Sequence, residues 1–217
     1  FMDVYDPKTV FSSIDKFGRY AFSNQPPITK WNLARFAECL IPLIHKDENE
    51  AIKVASEIID NFQNIYEEKW LNMMRDKLGL FGKDQNDQKL INDLLSWMEI
   101  NNADYTNTFC NLMNVNIEDK KVYEDQKFIN WVKIWEKRVL MNNNLKEKSL
   151  DLMRNTNPTV IPRNHKVEEA LNSANEDNFE VMNKLLNILN KPYSNQKNIE
   201  NYQSLSTDKE YQTFCGT

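Results

Sequence analysis

The sequence predicts an all-α protein, and three observations carry that reading. Only four glycines, at positions 18, 79, 82 and 216, occur in 217 residues, too few for the tight turns of a sandwich or barrel. Apolar residues recur at spacings of three and four over most of the chain, the period of a helix with one buried face. The breaks between these stretches are short clusters of Asn, Pro and Gly, which mark turns and loops.

Residues 1–28 carry Pro7, Gly18, Pro26 and Pro27 without a sustained period and read as an extended loop with short helical turns. Thr29 is a candidate N-cap for a helix over Trp31–Ile44, where Leu33, Phe36, Ala37, Leu40, Ile41 and Ile44 repeat at helical spacing and Pro42 should introduce a kink. Asn49–Leu78 continues the pattern through Ala51, Ala55, Ile58, Phe62, Ile65, Tyr66, Lys69 and Met73, as one long helix or as two with a bend. Turn residues from Gly79 to Asn86 end it, and Gln88–Ile100 resumes with Ile91, Leu94, Leu95 and Met98 on one face.

Asp104–Met113 is short and apolar on one side, and Val122–Met141 spaces Phe128, Trp131, Val132, Trp135 and Val139 as a core stripe. Asn142, Asn143 and Asn144 make a break before a helix over Leu145–Arg154. A Pro-containing connector at Asn157–Arg163 leads to Asn164 as a cap for His165–Ala174. Asn178–Asn190 carries Phe179, Met182, Leu185, Leu186 and Leu189 before Pro192 stops it, and the chain after Tyr193 reads as an extended polar tail.

Composition narrows the function classes. A net charge of −5 from 27 basic and 32 acidic residues, well mixed along the chain, offers little field to attract a polyanion, so no nucleic-acid partner is expected. No stretch approaches the roughly 20 apolar residues of a membrane span. The chain opens on Phe1 with no basic segment followed by an apolar run, and reads as an excised piece without a leader. Three widely spaced cysteines, Cys39, Cys110 and Cys215, do not form a disulfide framework and fit a reducing, cytoplasmic compartment. Cys39 and Cys110 sit on apolar helix faces and read as core.

Local chemistry is sparse. The two histidines, His45 and His165, lie far apart without Cys neighbours, so no zinc motif is present. No nucleophile elbow surrounds any Ser or Cys. The paired carboxylates Glu67-Glu68 and Glu168-Glu169 and the cluster from Asp47 to Glu50 fall on helices among lysines, where solvated faces explain them.

One uninterrupted stretch changes the reading. Phe1-Met2-Asp3, Tyr5-Asp6-Pro7, Asp15-Lys16-Phe17-Gly18-Arg19-Tyr20-Ala21-Phe22, Gln25-Pro26 and Trp31-Asn32-Leu33 follow one another in order, and this series closely resembles the SelO/YdiU family. Asp104-Tyr105-Thr106 with Phe109, the run Asn157–Leu171, the run Leu189–Gln196 and a cysteine third from the end, Cys215, agree with it. The match runs the length of this chain and covers the C-terminal part of a family member.

The resemblance implies a kinase-like (pseudokinase) protein adenylyltransferase that moves AMP from ATP, held with Mg or Mn, onto protein hydroxyls. Residues 1–28 would be the activation-segment-like loop, 29–192 the helical C-lobe and its family-specific extension, and 193–217 an extended tail. The family's catalytic, nucleotide-binding and metal-binding residues precede Phe1, so none is carried onto this chain, and the piece alone is expected to be inactive with no cofactor of its own. Its expected partners are protein substrates and the missing N-terminal lobe, with dimerisation through exposed apolar surface as a consequence of that lobe's absence.

Three side chains are singled out. Arg19 and Arg163 could each contact a phosphate or an acidic group as planar bidentate donors, or fix structure through a salt bridge. Cys215 could be a redox thiol or an inert one. Some family members are thought to pair the terminal Cys with one in the activation segment, but Phe11 stands at that segment position here. A competing reading makes the chain a stand-alone helical interaction module whose loop at Tyr5–Pro27 binds a partner; an independent helical hydrolase lacks any motif.

Overall fold

The computed structural model describes residues 2–117, 120–141 and 146–206. Among these the regular structure is helical; the one extended pairing is an isolated antiparallel bridge between Val4 and Asp104. Ten α-helices follow in order: α1 (Gln25–Ile44), α2 (Glu48–Asp60), α3 (Phe62–Lys77), α4 (Asp87–Asn101), α5 (Tyr105–Leu112), α6 (Gln126–Val139), α7 (Lys146–Thr156), α8 (Asn164–Asn175), α9 (Glu180–Leu189) and α10 (Glu200–Gln203). The described residues form two compact units, 7–73 and 2–6 with 74–206.

In the unit 7–73, the loop ahead of α1 is organised by Asp15, whose two carboxylate oxygens accept from the backbone N–H groups of Arg19 and Tyr20 at 2.8 Å each. Gly18 turns the chain with φ +64°, a left-handed conformation that glycine adopts without steric cost. Its carbonyl accepts from the Asn24 side chain at 2.7 Å. Helix α1 starts at Gln25, with prolines in its first turn, where a missing N–H leaves no bond unmade. That moves the start four residues ahead of Thr29, whose hydroxyl instead donates to the Gln25 carbonyl inside the helix.

Pro42 lies in the last turn of α1, which ends two residues later. The stretch after it is two helices, α2 and α3, divided at Asn61. Asp47 caps α2, accepting from the N–H groups of Asn49 at 2.9 Å and Glu50 at 3.1 Å, which satisfies two of the orphan donors of the first turn. Cys39 is exposed on α1. The helical spacing that places it beside apolar residues does not bury it, because the apolar surface around it on α1 is itself open.

The unit formed by 2–6 and 74–206 has a true core. Helices α4 and α6 pack together, and the stripe expected to be buried on α6 is buried at Phe128, Trp131, Trp135 and Val139. Trp97 of α4 meets Phe128 with ring centroids 4.4 Å apart, and Trp131 and Trp135 lie parallel at 6.3 Å. Each indole finds an acceptor: Trp97 donates to Asp125 Oδ2 at 2.8 Å, Trp131 to the Leu90 carbonyl at 2.9 Å and Trp135 to the Leu78 carbonyl at 2.8 Å. The stripe thereby adds hydrogen-bonded register to apolar burial. Cys110 is buried in this unit.

Helix α8 begins one residue earlier than its sequence signal: Arg163 stands at the cap and Asn164 is the first helical residue. The tail after Tyr193 is not simply extended. It forms α10, and the helix seats Gln203 at 1% exposure. A run of polar residues hides this, since the burial of Gln203 rests on hydrogen bonds rather than on apolar contact. Its side-chain amide donates to the Thr159 carbonyl at 2.7 Å. The break at Asn142–Asn144 lies outside the described residues.

Candidate functional site

One cluster of buried polar groups gathers around Arg163. Helix α5 begins at Asp104, which adopts an extended conformation and accepts from the Asn107 backbone N–H at 2.6 Å. Capping uses Oδ1 and leaves Oδ2 for a second donor. Arg163 Nη1 takes it at 2.6 Å, and the same nitrogen lies 2.9 Å from Asp3 Oδ1. Arg163 Nη2 reaches Asn107 Oδ1 at 3.4 Å, and the Asn107 amide donates to the Gln203 carbonyl at 2.9 Å.

The start of the chain is held by the same group. Tyr105 N–H donates to the Asp3 carbonyl at 2.8 Å and Tyr5 N–H to the Ala103 carbonyl at 3.0 Å, so residues 3–5 lie antiparallel to 103–105. The rings of Tyr5 and Tyr105 stack at 5.7 Å. The first residues and the α5 start thus meet the Arg163 guanidinium at the α8 start, and α10 joins through Asn107.

The electrostatics follow from the burial. Arg163 is 1% and Asp104 4% exposed, so each charge is stable only through the other. Burial pushes the Asp104 carboxyl up from its ordinary value against the pull of the Arg163 guanidinium. Arg163, penalised by burial, is held above its ordinary value by Asp104 and then Asp3. His165, next along α8, is lowered, by burial and then by the Lys166 and Arg163 charges, and its Nδ1 is buried without a hydrogen-bond partner. Arg163 Nε and Gln203 Oε1 are buried without one as well.

A second buried ionic group lies in the same unit. Asp87, 0% exposed, accepts from Arg75 Nε at 2.6 Å and from Arg138 Nε at 2.7 Å. Arg138 also donates to the carbonyls of Phe81 and Gly82 at 3.1 Å each. Burial alone would raise the Asp87 carboxyl; the hydrogen bonds from Arg138, Arg75 and the Asp84 backbone outweigh it and lower the value. This group ties the end of α3, the start of α4 and the end of α6.

Arg19 belongs to the other unit, where it is exposed. Its guanidinium stacks 4.6 Å from the Trp31 ring centroid and 5.7 Å from that of Tyr20, a cation–π arrangement that spacing along the loop does not announce. Cys215 lies outside the described residues. The geometry thus gives Arg163 a closed set of partners and Arg19 an open face. Asp3, Asp104, Asn107 and Gln203 are the members of the Arg163 cluster to which the sequence assigns no such role; Asp3 and Asp104 stand there only within the family-like motifs, and an Asp directly before a helix, as at Asp104, indicates a cap rather than a charge partner.

Among the described residues no group of three or more His, Cys, Asp or Glu side chains is placed to hold a metal ion. No helix among them is long and apolar enough to cross a membrane.

Comparison with known proteins gives these features a context. The model of the family described as protein adenylyltransferase SelO matches residues 1–190. Proteins named protein nucleotidyltransferase YdiU align with the whole chain: that of Pelagibacter ubique (strain HTCC1062) at 58% identity, that of Clostridium botulinum (strain Hall) at 51% and that of Alkaliphilus metalliredigens at 48%. In each case the alignment takes in 100% of this chain and 45% of the relative. The chain therefore spans less than half the length of the curated relatives it matches, and it belongs to the SelO family of protein adenylyltransferases.

Proposed function

We propose that the chain is the helical C-terminal part of a kinase-like protein nucleotidyltransferase that transfers AMP from ATP to protein hydroxyl side chains in the cytoplasm. The observation that carries this reading is the alignment of the whole chain, at 58% identity, with 45% of a protein nucleotidyltransferase. Within the whole protein, ATP with Mg or Mn is bound by residues outside these 217, and those residues perform the transfer. The chain alone is inactive. Its contribution is support: the segment ahead of α1, part of the loop 1–28 read from the sequence, faces protein substrates, and the Arg163 cluster holds residues 3–5 on the unit they belong to.

Chemically the Arg163 cluster suits this task. A loop that must present a substrate needs a fixed root, and a buried ion pair gives directional anchoring that apolar packing does not. Arg19, exposed and stacked on Trp31, is a cation of the loop available to an acidic or phosphorylated group. Cys215 is proposed as a thiol without an intramolecular partner in the loop, since Phe11 occupies the relevant position.

The test is calorimetric titration of ATP with Mg²⁺ into this chain and into the unbroken product of its gene, followed by an assay for AMP incorporation into protein. Binding and transfer by the longer protein alone support the reading. Tight binding by the 217-residue chain overturns it. A stand-alone interaction module, the second reading, draws on the open apolar face of α1; a start codon just ahead of Phe1 would favour it.

A further inference from the structure

Helix α1 carries apolar side chains on two separate faces. Ala34, Ala37 and Ile41, at i, i+3 and i+7, line a groove with Ile52, Ala55 and Ile59 of α2, against which α1 packs. Leu33, Phe36, Leu40 and Leu43 repeat the same spacing one position out of step, which at about 100° per residue puts them on a different side of the helix. Among the described residues that second face is largely open: Leu40 is half-buried, but Phe36 is 61% and Leu43 81% exposed. A surface helix has one apolar stripe, and a helix apolar on two sides belongs in an interior.

The rest of the unit makes the same point. Across residues 7–73 the buried apolar side chains are Ala21, Ala51 and Ala55. Three alanines cannot stabilise a helical pair by burial, since apolar side chains contribute in proportion to the area they remove from water and short helices are marginal without such packing. The large apolar residues of the unit are half-buried, as at Leu40, Ile41 and Phe62, or exposed, as at Phe36, Leu43 and Ile58. The unit therefore offers apolar surface to a further packing partner.

We propose that the Leu33/Phe36/Leu40/Leu43 face of α1 is an interior face of the longer nucleotidyltransferase, covered by the part of that protein lying outside these 217 residues. The proposal rests on the reading above that the chain is part of such a protein. The matched relatives hold more than half of their length outside the aligned segment, enough for a lobe that packs on a 20-residue helix. A segment joined to the same chain also meets the face at high effective concentration, where a second copy or a separate partner would have to be recruited from solution. The face is consequently a packing surface, and the groove-lining side of α1 remains on α2.

The experiment is footprinting by photolysed diazirine, which labels exposed side chains, on two proteins: the 217-residue chain, and a chimera in which it replaces the corresponding segment of the full-length Pelagibacter ubique relative. The expected result is strong labelling of Phe36 and Leu43 in the monomeric 217-residue chain and a several-fold loss of labelling in the chimera. Equal labelling in both overturns the proposal. So does protection in the isolated monomer, which would mean that residues 74–206 cover the face, or protection that appears only with concentration-dependent dimerisation, which would assign it to a second copy. A companion variant, Phe36→Asp with Leu43→Lys, should lower the Tm of the chimera and leave that of the 217-residue chain unchanged. Labelling reads packing and not nucleotide chemistry, so a chimera that protects the face but binds no ATP would separate failure of the functional reading from failure of this one.

Discussion

Arg163 donates to Asp104 at 2.6 Å across 59 residues of sequence, and neither side chain is more than 4% exposed. The pair is the junction of α5 with α8, and the arginine's reach to Asp3 extends it to the beginning of the chain. Each charge is tolerable in the interior only because the other is there.

Replacing Arg163 with Met should therefore cost about 3–5 kcal/mol of stability, since it leaves a buried carboxylate uncompensated. Lysine should not restore it, because one ammonium cannot serve both Asp104 and Asn107 from a planar fork. Chemical denaturation of R163M, R163K, D104N and the R163M/D104N double variant checks this. The double variant should be more stable than the sum of the single losses predicts, and simple additivity would mean that the two side chains do not interact.

Asp87 gives a pH dependence of defined sign. Its folded-state pKa is lowered, by hydrogen bonds from Arg138, Arg75 and the Asp84 backbone that outweigh burial. A lowered carboxylate contributes stability that is present above its unfolded pKa of about 4 and is lost as pH falls through the folded value. Asp104, whose carboxyl is raised, acts in the opposite sense. The informative quantity is thus the difference between the wild-type protein and D87N. That difference should be largest at neutral pH, about 3–5 kcal/mol because two buried arginines lose their partner, and should shrink steadily below pH of about 4. Urea denaturation across the acid range measures it.

What the sequence makes legible here is what depends on near neighbours. The α6 stripe of Phe128, Trp131 and Trp135 is visible because helical spacing and aromatic bulk agree, and Gly18 because a turn with positive φ suits few other residues. The two faces of α1 are also written in the spacing, but periodicity records only that residues are apolar and not what covers them, so Cys39 reads as core and is exposed. Asp87 sits among acidic and polar neighbours, and its two arginine partners are 12 and 51 residues away. Arg163 stands out beside prolines, yet Asp3, Asp104 and Gln203 come to it through tertiary packing. Long-range polar pairing has no period, and it is the part that a single sequence withholds.

Lys77 and Cys110 predict the alkaline limb. Lys77 Nζ lies 4.1 Å from the Phe109 ring centroid; burial lowers its pKa from 10.5 to about 8, with the neighbouring Cys110 opposing. Burial, then Asp104, pushes the Cys110 thiol from 9.0 up to about 12. Between pH 8 and 10.5 the unfolded chain binds more protons at Lys77 than the folded one, so stability rises with pH there. Above pH 9 the unfolded chain loses the Cys110 proton that the folded chain keeps, so that contribution falls. Wild-type stability should rise from pH 8 to 9 and flatten beyond. Lys77→Met should abolish the rise, and Cys110→Ala should let it continue toward pH 10; denaturation curves at half-unit steps test both.

Two glycines with nearly the same backbone should respond differently to alanine. Gly18 and Gly79 have φ of +64° and +66°, and a Cβ in the left-handed region costs roughly 1–2 kcal/mol at either. At Gly18 the added carbon would meet Val10 Cγ2 at 3.6 Å and Ala21 Cβ at 3.7 Å, ordinary contact distances. At Gly79 it would stand 2.6 Å from the Ser149 carbonyl oxygen of α7 and 3.0 Å from Met153 Cγ. The first of these is backbone and cannot swing aside, so α7 would have to move off the turn that follows α3. Gly79→Ala should therefore exceed Gly18→Ala by at least the 1–3 kcal/mol typical of overpacking, read as the difference in their denaturation midpoints at equal m-value. Equal losses would mean that α7 yields freely, and that the turn at Gly79 does not fix its position.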